Sequence, residues 1–148
     1  MDRLLRAVDR LHADGVLHGE VIIQSAAYGF RPPNAVLEGV RSYAWLADKV
    51  SGADTVISHA GPATLALVRA AGRVPVVVPR SSAEGEHVDD HQLRYADRLR
   101  GQPGYAIVTD MSKLAEAIES ARGVAANPIA ADVSRAVAVL NALLTTAR

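Results

Sequence analysis

The sequence predicts an α/β domain built on a parallel sheet flanked by helices. Two observations carry this expectation. Short β-branched runs at 21–26, 55–58, 74–78 and 105–108 alternate with stretches of helical periodicity. The run at 74–78 is continuously apolar, and 21–26 opens on Val-Ile-Ile, the pattern of buried strands. Length sets the scale: 148 residues suffice for one domain with its own core and are too few for two.

Taken in order, Leu4, Val8 and Leu11 share one face of a first helix, with Leu5 beside them. Arg3, Arg6 and Arg10 turn away from that face, and Gly15 ends the helix. Strand 21–26 follows. Arg31-Pro32-Pro33-Asn34 is a turn, 35–41 a short strand, and Ser42 caps a helix reaching about Val50. Between strands 55–58 and 74–78, residues 63–71 read as a helix closed by Gly72. After a polar loop at 79–86, a helix is expected from Val88 to Leu99, burying Val88, Leu93, Ala96 and Leu99. Asp110 or Ser112 caps the helix of Leu114, Ala117 and Ile118. A linker at 123–128 leads to a C-terminal packing helix at 129–148, with Val133, Val137, Leu140 and Leu144 on one stripe.

Composition removes several classes of function. Apolar residues make up 49% and charged residues 22%, which is globular. Lys+Arg and Asp+Glu are 16 each, so the basic surplus of a nucleic-acid binder is missing. With no cysteine, thiolate–zinc sites and thiol nucleophiles are excluded. No apolar run approaches membrane-spanning length, and residues 1–6 do not read as a secretory signal. A cytoplasmic location is the expectation, with membrane proximity coming only through a partner.

Ligands of parallel α/β sheets bind at the carboxyl ends of the strands. Two loops fall there. The first is Ser58-His59-Ala60-Gly61-Pro62-Ala63-Thr64. Gly61 permits close backbone approach, Pro62 suits a first helical turn, and the exposed amides of that turn favour an anion. A tight turn in which His59 and Thr64 satisfy only local backbone explains the same residues. The second loop is Gly85-Glu86-His87-Val88-Asp89-Asp90-His91-Gln92. His87 and His91 have the spacing of a helical metal pair, but no third ligand is suitably spaced, so no metal is expected. Acids in a first helical turn also answer the helix dipole. Carboxylates, imidazoles and amides equally offer the donors and acceptors that sugar hydroxyls require.

In order and spacing, Ala53-Asp54-Thr55-Val56-Ile57-Ser58-His59-Ala60-Gly61-Pro62-Ala63-Thr64, Pro75-Val76-Val77-Val78-Pro79-Arg80 and the G-E-H-V-D-D-H-Q string at 85–92 resemble the glycosyltransferase family 28 C-terminal domain. The chain is most similar to small subunits of two-component bacterial exopolysaccharide transferases, and to their counterpart adding the second GlcNAc to a dolichol-linked sugar. The resemblance runs from Asp2 to about Ile118. It implies the Rossmann-like C-terminal half of an inverting GT-B glycosyltransferase, holding a UDP-sugar donor without cofactor or metal. It further implies a hexose or N-acetylhexosamine passed to a lipid-linked or polysaccharide acceptor carried by a membrane-associated partner, with self-association a further option. His59, Gly61, Ala63 and Thr64 fall where the family contacts the pyrophosphate, and 40–43, with Ser42 and Tyr43, near the uracil edge. His91 and Gln92 fall where the donor sugar is held, and Glu86, His87 and Asp90 on the same loop are expected among the UDP-sugar-binding residues. The general base is expected on the acceptor half, leaving no complete catalytic machinery here.

Two positions depart from the family. An acid that grasps the ribose hydroxyls is replaced by Leu67. The family's first, central strand has no counterpart ahead of Asp2, so strands 21–26 and 55–58 would pair directly, borrow a strand or leave a marginal fold; a start further upstream is the expectation. A catalytically inactive accessory subunit that stabilises a partner transferase is the alternative reading. A UDP-GlcNAc 2-epimerase would need about twice this length.

Overall fold

The computed structural model describes residues 1–26 and 28–125. The expected packing helix at 129–148 lies outside them. Helix α1 (Asp2–Ala13) carries Asp2 in its first turn and Arg10 and His12 in its last, each sign matched to the helix dipole. It buries Leu5, Ala7 and Val8. Strand β1 (Ile22–Gln24) pairs in parallel with β2 (Val36–Glu38), Ile23 opposite Leu37. Tyr28 Oη reaches the carbonyls of Ile23 and Glu38 at 2.7 and 2.5 Å and clasps the end of this pair.

Helix α2 (Tyr43–Gly52) begins where Ser42 Oγ accepts the Trp45 amide at 3.2 Å. Strand β3 (Ile57–Ser58), helix α3 (Pro62–Ala70), β4 (Val76–Val77), helix α4 (His91–Leu99) and β5 (Ala106–Ile107) then alternate. The three strands form one parallel sheet in the order β3-β4-β5. Asp110 accepts the Ser112 amide, and a 3-10 turn, Met111–Lys113, leads into α5 (Leu114–Ala121). Pro62 occupies the first helical turn of α3, and Gly72, at φ 72°, closes it.

The central strand explains the layering. Val76 and Val78 point into a cluster with Ala7, Val8, Val108, Leu114, Ile118 and Ala121, under α1 and α5. Val77 points the other way, to Ala60, Leu65, Ala96 and Leu99 of the α3 and α4 side. Alternation along one fully buried strand thus fastens both helix layers, each valine contributing about 1.5–3 kcal/mol. A third cluster, Val50, Leu67 and Val68, joins α2 to α3.

The structure alters three expectations. Helix α4 starts at His91 rather than near Val88, and Val88 is 93% exposed. The Asp89 carboxylate accepts the His91 amide at 3.1 Å, a side-chain turn that competes with helix at this point. Arg3 does not point to solvent: Nη2 donates to the Pro79 carbonyl at 2.8 Å, and Nε and Nη2 reach Glu86. The third difference concerns the sheet, which is in two pieces. Among the described residues β1 and β3 do not pair, so direct pairing of these strands is not the route taken.

Candidate functional site

Both polar loops leave the carboxyl ends of neighbouring parallel strands, the first after β3 and the second after β4. In the first, Gly61 is the residue before α3 and its amide bonds back to the His59 carbonyl. A Cβ on Gly61 would stand 3.0 Å from His59 Nε2, so glycine lets the imidazole lie across the turn. The first intrahelical bond runs from Leu65 to Gly61, which leaves the Ala63 and Thr64 amides ahead of the ladder. Ala63 is exposed and Thr64 half-buried.

Burial lowers the pKa of His59 from its ordinary 6.5, and the charges of Arg80 and His87 lower it further. Near neutrality His59 is therefore an uncharged donor and acceptor beside a cation. Folding disfavours its protonation, whereas the unfolded chain takes up that proton below 6.5. The corresponding stability is complete above 6.5 and is lost as pH falls from there toward the lower folded value. Thermal midpoints at about pH 8 and about pH 5.5 should differ less in His59→Gln than in the parent. An unchanged difference would show that the fold accepts the charged ring.

In the second loop most of the expected sugar-binding residues have structural partners. Glu86 is 4% exposed at its side chain, and its carboxylate accepts from Arg3 and, at 3.3 Å, from the Ser81 amide. Asp90 Oδ1 accepts the Ser82 amide at 2.8 Å, and Ser82 holds that carboxyl below its ordinary value. Gln92 is buried, and its Oε1 accepts from Arg80 N and Nε at 3.1 and 3.2 Å. Glu86, Asp90 and Gln92 thus shape the loop. His87 and His91 remain at its surface, ring centroids 4.6 Å apart and nearly perpendicular.

Ser42 and Tyr43 stand at the start of α2. Ser42 Oγ caps α2, Tyr43 is half exposed, and among the described residues no hydrogen bond or ion pair joins either to the His59 or His87 loop. Sequence reasoning assigned no role to Arg80. Its charge acts on His59 and its Nε is held by Gln92, and its signal was a single basic residue opening a polar loop after a buried strand. A helix start with free amides, an arginine and a neutral imidazole can hold a doubly charged anion. The loop histidines beside them can exchange hydrogen bonds with hydroxyls.

Residues 21–136 match the family described as glycosyltransferase family 28 C-terminal domain. The chain belongs to that family. The match spans both loops and every candidate residue, and starts after α1, whereas the sequence resemblance was read from Asp2. A relative from Xanthomonas euvesicatoria pv. vesicatoria (strain 85-10) is a UDP-N-acetylglucosamine--N-acetylmuramyl-(pentapeptide) pyrophosphoryl-undecaprenol N-acetylglucosamine transferase. It is 34% identical over 107 residues, which cover 72% of this chain and 21% of that protein. The chain therefore spans about a fifth of the relative it matches. No solved structure matches it. As a family 28 C-terminal domain, the chain brings a transferase fold, and the match includes both loops described above.

Proposed function

We propose that this family 28 domain binds a UDP-sugar and works as the donor half of a two-component inverting glycosyltransferase. The observation that supports it best is the β3–α3 turn, whose first-turn amides stand with Arg80 and a neutral His59 at the carboxyl end of the sheet. The diphosphate is held there by backbone amides and the guanidinium, which stabilise the charge developing on departing UDP. The sugar lies over His87 and His91. The acceptor, lipid-linked or polysaccharide, comes with a membrane-associated second chain that also supplies the base, as in exopolysaccharide assembly. The partner would hold this chain at the inner face of the membrane; no helix among the described residues is long and apolar enough to cross one. The chemistry needs neither metal nor cofactor from this chain.

Titration with UDP in the presence of a chelator, followed by amide chemical shifts, tests the proposal. The expected result is shifts at Gly61, Ala63, Thr64 and Arg80, with a UDP-sugar extending them to His87 and His91. Shifts confined to the opposite end of the sheet, around Asp54, Gly72 and Arg73, would overturn it. One structural fact favours the accessory-subunit reading: Leu67 is buried where the family resemblance implies a ribose-binding acid. No response to any UDP-sugar, in a chain that still stabilises a partner transferase, would establish that reading instead.

A further inference from the structure

Counted along a helix, His87 and His91 have no third ligand. The segment is not helical, because α4 begins only at His91. In the turn that precedes it, Asp89 folds back between the two imidazoles. Its Oδ1 lies 3.4 Å from His87 Nδ1 and is hydrogen-bonded to His91 Nδ1. Ligand atoms of all three residues lie within 4.8 Å of one another. Two imidazole nitrogens and one carboxylate oxygen form a donor set that suits borderline divalent ions. Tetrahedral ligands around zinc stand roughly 3.3 Å apart, so the set needs adjustments of an ångström or so to close on an ion. Asp89 and His91 are exposed and His87 half-buried, which gives an ion an open path and leaves one face for water.

We propose that His87, Asp89 and His91 form a binding site for a divalent transition ion of the zinc class. The site does not serve the transfer chemistry. It lies on the loop assigned to the donor sugar, so an ion there withdraws both histidines from hydroxyl recognition and acts as an inhibitor. That consequence rests on the donor reading, whereas the site itself does not.

The experiment is calorimetric titration of the full chain with zinc chloride in the absence of nucleotide, with cobalt(II) visible absorption reporting ligand number. One equivalent of zinc is expected to bind. His87→Ala, Asp89→Ala and His91→Ala should each weaken binding tenfold or more, and magnesium, which prefers oxygen ligands, should not compete. All three positions are solvent-accessible, and unchanged thermal midpoints will show that the variants fold. Absence of zinc binding, or binding undiminished in the three variants and hence at His12, His18 or His59, overturns the proposal. Because the UDP titration contains chelator, either proposal can fail without the other.

Discussion

Leu67→Glu is expected to destabilise the domain by at least about 3 kcal/mol and to leave UDP affinity no stronger. Leu67 is 7% exposed and packs with Val50 and Val68, against Leu46, Ala47 and Val56 where α2 meets α3. Glutamate there removes the leucine contacts and places a carboxylate among apolar groups. The carboxylate must stay protonated, or α2 and α3 must part to hydrate it. Against a total stability of about 5–15 kcal/mol for ordinary domains, that is a large fraction. Leu67→Met, which nearly preserves volume, should cost less than about 1.5 kcal/mol and serves as the packing control. Chemical denaturation of the three proteins, with UDP titration of each, makes the comparison. A stably folded Leu67→Glu protein that binds UDP more tightly would return position 67 to the ribose site and refute its core assignment.

Much of this fold was legible because its signals are local. The apolar run 74–78 could only be a strand covered on both faces, and Val76, Val77 and Val78 are wholly buried. Ser42, Pro62, Gly72 and Asp110 marked helix ends, since capping depends on neighbours a few residues away. Where the reading differed, a side chain had chosen between competing partners. At Asp89 an acid that suits a first helical turn captured the His91 amide instead, shifting the helix start and bringing the third donor between the histidines. That both polar loops would leave the carboxyl ends of neighbouring parallel strands was foreseeable from the alternation of strands and helices. The separate duties of Glu86, Asp90 and Gln92 were not, because polar side chains that build a loop and those that meet a ligand share one composition. Arg3 was the hardest: periodicity put it outside the apolar face, and its partner lies 83 residues away.

That distant pair carries the second large effect. Glu86→Ala is expected to cost about 2–3 kcal/mol and to lower the thermal midpoint by about 5–10 °C. The Glu86 carboxylate takes Arg3 Nε at 3.2 Å on both oxygens and Nη2 at 3.2 Å, while the Met1 amine lies 3.7 Å from Oε1. It also accepts the Ser81 amide, so one side chain ties the start of α1 to the loop after β4. Arg3 is 20% exposed at its side chain and can recover some hydration when released, which keeps the cost below that of a fully buried pair. A double-mutant cycle with Arg3→Ala isolates the interaction, and a coupling of about 1.5–3 kcal/mol is expected. UDP binding should weaken in both single variants, because Arg3 also holds Pro79, directly before Arg80. Glu86→Gln retains an acceptor for Arg3 and should recover part of the loss in midpoint and affinity. Additive single effects, with coupling under about 0.5 kcal/mol, would mean that α1 and the loop are held independently.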